Sequence, residues 1–257
     1  MIGRAAGIGM NMRIAEGLEM LELTLGQGER AMTIHPVVLY DENAWVLIDT
    51  GMPGSEGLIR ALVKQAGIPE LPLQAIVLTH QDIDHIGGLP GFQASEPSPF
   101  EVYAHADDRE AIDGKTPMIK FGPERASMLL PSLPDAVRIS FENAFLHPTK
   151  PNVTRAMADG ETLPFGGGLT VIHTPGHTPG HVCLYHHASK TLIAGDAMVA
   201  VGGELQGPRP QMTPELEQAY ASLGKLKALD IETVICYHGG LARENVNASI
   251  EKLADRS

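Results

Sequence analysis

Apolar residues along this chain come mainly in short runs bounded by turn residues, a texture that predicts buried strands. Leu18 to Leu25 alternates apolar and polar side chains, Val37 to Tyr40 is short and apolar, and Trp45 to Asp49 runs into Thr50-Gly51. Asp41-Glu42-Asn43 is the turn signal between the last two, so the beginning of the chain is expected to be a strand meander. Ser55 stands where a helix cap belongs, and a helix is expected from it through Ala66, stopped by Gly67 and Pro69. Ala75 to Leu78 reads as a fully apolar strand. Its end delivers Thr79 and His80 into a loop, where α/β sheets carry their chemistry.

From Ala106 to Pro151 the texture turns helical and is broken by Pro117, Pro123, Pro131 and Pro134. This stretch, 106–151, is expected to form a helical lid. Most of Met118, Ile119, Phe121, Met128, Leu129, Leu130, Phe141 and Phe145 should pack onto the body, with a few left for a substrate wall. The lid aromatics fit either that packing or a contact between copies. Strands are then expected at Leu169 to His173, Val182 to Tyr185, Thr191 to Ala194 and Thr233 to Cys236, with helices from Thr213 to Leu229 and from Arg243 to Leu253. Two blocks of strands, each followed by a helix, predict a mixed α/β (α+β) fold. The expected arrangement is a four-layer αββα sandwich forming one domain over 1–257, with the site where the halves meet.

At 257 residues and 43% hydrophobic content the chain can bury a full core. Its formal net charge of -12, with no local block of Lys and Arg, repels nucleic acid and anionic lipid, so a small-molecule substrate is expected. No apolar run is long enough to span a bilayer, and Met1 to Met10 lacks the core of a signal peptide. A cytoplasmic protein starting at Met1, Met10 or Met12 is therefore expected. Cys183 and Cys236 lie in apolar stretches and read as buried free thiols. Cys236 is two residues from His238, and in a continuous strand both would share a face, which keeps a catalytic thiol open.

The densest chemistry is Thr79-His80-Gln81-Asp82-Ile83-Asp84-His85-Ile86-Gly87-Gly88. In a tight loop after a strand, such spacing lets imidazoles and carboxylates diverge toward two centres, and Gly87-Gly88 lets the backbone turn sharply nearby. Downstream, Thr174-Pro175-Gly176-His177 and Thr178-Pro179-Gly180-His181 repeat one unit in tandem. Gly195-Asp196 and Tyr237-His238-Gly239-Gly240 each follow an apolar run. A single buried histidine is usually a hydrogen-bonded core residue, but imidazoles and carboxylates gathered in this way after apolar runs point to a two-metal hydrolytic site.

On these motifs the chain resembles the metallo-β-lactamase superfamily across nearly its whole length. That superfamily's signature is Thr-His-x-His-x-Asp-His, followed by separate His, Asp and His ligands. The resemblance implies that His80, Asp82 and His177 hold one metal, Asp84, His85 and His238 the other, and that Asp196 bridges. It implies that Asp49, in Leu47-Ile48-Asp49-Thr50-Gly51, orients the motif loop from behind, and that His181 lies behind the ligands or beside substrate. His35, His105, His147, His186 and His187 match nothing and are expected at the surface or in packing. For His105, at the start of the lid, contact with substrate is the alternative to packing.

Asp82 stands where most relatives have a second histidine. Asp82, Asp84 and Asp196 then set three negative charges against two divalent ions, and a bridging hydroxide would make the core neutral. An added charge about 4 Å away is worth roughly 4 kcal/mol at an effective dielectric near 20, so the bound water should be a weaker acid. Two divalent ions are expected, zinc first, with iron or manganese competitive because oxygen replaces nitrogen. The implied reaction is attack by the bridging hydroxide, with Asp84 or Asp196 handling a proton as the catalytic carboxylate.

The apolar lid and the loop Ala197 to Val201 favour a neutral ester or lactone with an apolar portion. Lactonases resembling this chain carry Tyr where it has Val199. The alternatives are a glyoxalase II-like thioester hydrolase, a phosphodiesterase, and a metal-binding sensor without turnover. Arg209, in Gly207-Pro208-Arg209-Pro210, reads as an anion-binding residue or a solvated loop residue.

Overall fold

The computed structural model describes residues 9, 11–26, 28 and 31–256. The questions raised by Met1 and Met10 lie outside the described residues. Alternation decides which way each strand faces. In Trp45–Ile48, Val46 and Ile48 point into one apolar cluster and Trp45 and Leu47 into another; in Val182–His186, Val182 and Leu184 oppose Cys183 and Tyr185. All eight are buried, so these strands are covered on both faces, which explains their unbroken apolar runs.

One sheet has seven strands, in the order Met12–Ala15, Leu18–Met20, Val37–Tyr40, Trp45–Ile48, Leu73–Val77, Glu101–His105 and Arg155–Met157. It begins as an antiparallel meander, with Asp41 Oδ1 accepting from the N–H groups of Asn43 and Ala44 at the predicted turn, at 2.7 and 3.0 Å. From Trp45–Ile48 onward its strands are parallel, joined by helical crossovers such as Glu56–Gln65. The other sheet has six strands, Thr162–Leu163, Leu169–His173, Val182–His186, Thr191–Ile193, Thr233–Cys236 and Gly240–Ala242.

Three apolar clusters separate four layers. Leu18, Leu39, Ile48 and Val77 of the first sheet meet Leu169, Val171, Leu184 and Ile193 of the second. Ile59, Leu62 and Phe92 cover the first sheet from outside, and Leu223, Ile250 and Leu253 cover the second. The αββα sandwich is thus the observed architecture. Phe92 is fully buried between the helices and Trp45, and Phe92→Ala would cost about 3–5 kcal/mol.

Several expected elements differ in detail. Leu18 to Leu25 is two short strands: Leu18–Met20 pairs with Val37–Tyr40, while Leu23–Leu25 pairs with Met32–Ile34 in a separate hairpin. The helix begins after Ser55 as expected, but the Ser55 hydroxyl does not cap it and is buried without a partner. The helix expected from Thr213 is confined to Leu216–Leu223, because Thr213 precedes Pro214 and is extended, and a tighter turn, Gly224–Ala228, follows. The closing helix is Val246–Ala254, started by Asn245 in the left-handed region at φ 51°.

Between 106 and 151 lie Ala106–Ile112, Pro123–Leu129 and Asp135–Phe141, the last continued by a wider turn over Glu142–Leu146. Phe121, Phe141 and Phe145 are buried against the first sheet's outer cluster, so packing rather than a contact between copies accounts for them.

Candidate metal centre

Strand ends assemble the centre. Leu73–Val77 leads through Leu78 and Thr79 to His80, Leu169–His173 leads toward His177, Thr191–Ile193 toward Asp196, and Thr233–Cys236 toward His238. The motif loop is tighter than an irregular turn. Asp82 precedes a helical turn, Ile83–Ile86, that carries Asp84 and His85. Gly87 and Gly88 do not make the sharp turn expected of them, since both have ordinary helical φ of -61° and -79°. They are needed for close approach: a Cβ on Gly88 would lie 2.0 Å from the Thr50 carbonyl oxygen.

The seven predicted residues come together as two adjoining groups able to hold metal ions: His80, Asp82, His177 and Asp196, and then Asp84, His85 and His238. Asp82 Oδ2 lies 3.0 Å from His177 Nε2 and 3.3 Å from His80 Nε2. His238 Nε2 lies 3.2 Å from Asp84 Oδ2. Asp196 stands between the groups, with Oδ2 3.4 Å from both His177 Nε2 and His238 Nε2, and Oδ1 3.3 Å from His85 Nε2.

Each wall of the centre is braced. Asp49 accepts from the Thr79 N–H at 2.8 Å, from the Thr79 hydroxyl at 2.7 Å and from His85 Nδ1 at 2.8 Å. It does so from the left-handed region, φ 61°, an unfavourable backbone for a non-glycine residue that these bonds hold in place. Donation from Nδ1 leaves His85 Nε2 facing the centre as a lone pair in the neutral ring. His181 Nε2 accepts from the Asp196 N–H at 3.0 Å and its Nδ1 pairs with the Thr174 hydroxyl at 2.9 Å, so this fully buried ring positions Asp196 from behind.

His80 Nε2, His85 Nε2 and Asp196 Oδ1 are buried and have no hydrogen-bond partner. Such atoms cost free energy unless something satisfies them, and a cation among imidazole nitrogens and carboxylate oxygens does so. The donor set therefore fits divalent metal. In the metal-free protein, burial works to raise the Asp82 carboxyl, but His80, His177 and Lys120 hold it well below the usual carboxylate range. Burial likewise works to lower His238, but Asp196 and Asp84 raise it to about 9. Charges of both signs have thus been brought together out of water.

Three residues here escaped the sequence analysis. Asp108, fully buried, accepts from the Gln81 N–H and side chain, the Thr178 hydroxyl and the Gly180 N–H at 2.7 to 2.9 Å, tying the motif loop to the His177 loop. It sits in the acidic first turn of a helix, where carboxylates are ordinarily solvated, so its spacing carried no signal. Gln81 Oε1 accepts from the Ile119 N–H at 2.8 Å. Next to Ile119, the Lys120 ammonium reaches Asp82 Oδ2 at 2.6 Å and His177 Nε2 at 2.7 Å.

A cleft of about 270 Å³ opens onto the centre, lined by Asp82, Asp84, His177, Asp196 and His238 with Met32, Met52, Val199, Met212 and Arg209. A second cleft of about 540 Å³ shares Met212 with it and is lined by Ile119, Lys120 and Arg125 among others. His105 lines neither. It accepts from the Asp107 N–H at its helix start and stacks on His173, with ring centroids 3.9 Å apart, a packed position as expected of a histidine outside the motifs. Cys183 and Cys236 are free and buried. Cys236 belongs to the apolar cluster under the helices because the strand ends there, before His238 turns to the cleft. Burial pushes both thiols up, Cys183 to about 12, so neither is a ready nucleophile.

A family model described as the metallo-beta-lactamase superfamily matches residues 32–238, which include every residue of both groups. The chain belongs to this superfamily. It is 30% identical over 260 residues to a Bacillus subtilis (strain 168) protein named "Probable metallo-hydrolase YflN", covering 96% of this chain and 95% of that one. It is 29% identical over 201 residues to hydroxyacylglutathione hydrolase of Enterobacter sp. (strain 638), covering 78% of this chain and 59% of that one. Among solved structures, a metallo-beta-lactamase family protein of Thermus thermophilus superposes with a TM-score of 0.68 at 24% identity, over 95% of this chain and 80% of that one. This superfamily member is therefore a metallo-hydrolase by family, with His and Asp groups able to bind metal. No helix among its described residues is long and apolar enough to cross a membrane.

Proposed function

We propose that the protein hydrolyses a small, neutral carboxylic ester or lactone with an apolar portion. The observation that carries this reading is the composition of the 270 Å³ cleft, which brings His and Asp groups able to bind metal together with Met32, Met52, Val199 and Met212. Methionines accommodate acyl or alkyl groups of varied shape, which suits a substrate with an apolar arm beside the bond to be cleaved.

A divalent ion fits Asp84, His85 and His238 with Asp196 beside them, while His80, Asp82 and His177 offer a second position that Lys120 contests. Zinc suits the imidazoles, and Asp82 makes iron or manganese competitive at the second position. When bound, such an ion supplies a nucleophilic water near neutral pH and a Lewis acid for the carbonyl oxygen. The chain's own residues do the rest. Asp84 and Asp196 face the cleft and take up the proton released as water attacks, with Asp196 aimed by His181. The Asp49 carboxylate keeps His85 in the tautomer that ligates. The segment 106–151 serves as the lid, with Ile119 and Lys120 on the wall of the adjoining cleft.

A second reading, thioester hydrolysis, is favoured by one observation. Arg209 lines the metal-side cleft and Lys120 and Arg125 the adjoining one, giving cations for a substrate carboxylate beside the apolar wall. The similarity to a hydroxyacylglutathione hydrolase points the same way.

Reconstituting the protein with zinc, iron or manganese and comparing an aryl ester, a lactone, a thioester and a bis-aryl phosphate tests both. Ester or lactone turnover at least tenfold above the phosphodiester, lost on chelation, is expected. Preference for the thioester would install the second reading, and no turnover with any metal would leave a metal-binding sensor.

A further inference from the structure

Lys120 enters the centre from the insertion, thirty-eight residues beyond the motif's Asp82. An imidazole nitrogen has one in-plane lone pair, and an ammonium donating to His177 Nε2 at 2.7 Å uses it. A metal ion on His177 needs the same lone pair. Lys120 in this position and a metal on His177 exclude one another. The ammonium also engages Asp82 Oδ2, the oxygen that faces both His177 and His80.

This lysine is built in rather than draped over the site. Its side chain is only 11% exposed. The preceding amide, Ile119 N–H, is held by Gln81 from within the metal motif itself, and the Lys120 carbonyl accepts from Arg125 Nη1 at 2.8 Å. Gln81 is in turn fixed by Asp108. The segment that carries the ammonium is therefore registered against the loop that carries His80 and Asp82.

Charge points the same way. Asp82, Asp84 and Asp196 are balanced by one divalent ion and one ammonium, whereas a second divalent ion would press against the ammonium as a like charge. Asp82, the departure from the superfamily's usual histidine, then has its own partner. His80 Nε2 lies 3.3 Å from the same Asp82 oxygen.

We propose that Lys120 is the resident cation of the first group, so that the protein carries one tightly held divalent ion, on Asp84, His85 and His238 with Asp196. This rests on the metal-dependent reading above. Two of the ammonium's three protons go to Asp82 and His177, which leaves the third for a further acceptor such as a substrate oxygen.

The test is a metal count on the full chain, stripped with chelator, titrated with zinc or cobalt(II), and dialysed at micromolar free metal before elemental analysis. Wild type and Lys120→Arg should retain one equivalent, and Lys120→Leu two, with the second equivalent bound at least 100-fold more tightly than in wild type. Thermal melts establish that each variant is folded, and Lys120→Gln replaces the leucine variant if that one is not. Wild type retaining two equivalents as tightly as Lys120→Leu overturns the proposal, as does Lys120→Leu retaining only one. The count needs no substrate, so it stands or falls separately from the choice among ester, lactone and thioester.

Discussion

The two halves of the centre use the same residue types but are held by different parts of the molecule. Asp84, His85 and His238 are gripped from the core. His85 is fully buried, bonded to Asp49, and covered by the Tyr237 ring with centroids 3.8 Å apart, while the Tyr237 hydroxyl donates to the Asp84 carbonyl. His80, Asp82 and His177 are completed from the periphery. His177 Nδ1 has a long 3.3 Å contact with Thr213 on a loop, and its Nε2 faces a lysine of the insertion. A side chain locked by bonds fixed in the sheets presents a preformed ligand, whereas one that depends on loops can be tuned by whatever those loops carry. The core-held half is suited to binding the ion and the peripheral half to adapting the site to its substrate.

The largest effect should separate the halves directly. His238→Ala should lose the tightly held ion and lower kcat/KM by roughly a thousandfold or more, whereas His177→Ala should keep one ion per chain and lose about tenfold to a hundredfold. Equal loss of metal in both would abolish the distinction. Asp49→Ala comes next: freeing His85 and stranding the Thr79 N–H should weaken metal binding by about 10- to 100-fold, read by competition with a chromophoric chelator.

A pH effect follows from His238, which Asp196 and Asp84 raise against burial to about 9 in the metal-free protein. A raised imidazole adds stability that is complete below its unfolded value of 6.5 and is lost as pH rises through about 9. Chelated protein should therefore lose this contribution between those values in denaturant titrations. The same proton must leave before His238 can ligate, so metal affinity should climb by up to about tenfold per pH unit over that window. A flat affinity profile would mean that proton release from this half does not control binding.

Smaller effects belong to the periphery. Arg209→Ala should raise KM by about fivefold to tenfold for a substrate bearing a carboxylate, with little change in kcat or for its neutral analogue. Thr213→Val should change metal retention by less than about threefold, because a 3.3 Å contact contributes little. A Thr213 effect as large as that of Asp49 would show the peripheral half to be as firmly held as the other.

Legibility followed the same division. The strands could be read because each buries alternating side chains in two apolar clusters, as Val182, Cys183, Leu184 and Tyr185 do. The His and Asp residues of the centre could be read because they follow apolar runs within short motifs. Asp108 could not, since a carboxylate in a helix's first turn looks solvated until Gln81, Thr178 and Gly180 are seen to converge on it. Gly87 and Gly88 were recognised as special but for the wrong reason, because their role is set by the Thr50 backbone pressing from another loop.

By itself the sequence determined the layered fold, the gathering of His and Asp residues at the ends of apolar runs and the extra carboxylate at Asp82, which rest on periodicity, on short motifs and on their resemblance to the superfamily's signature. Tertiary structure alone decided what balances that carboxylate. Lysine is common on surfaces and its long side chain leaves no spacing pattern, so Lys120 acquires its meaning only when Gln81 and Arg125 pin the insertion and its ammonium meets Asp82 and His177.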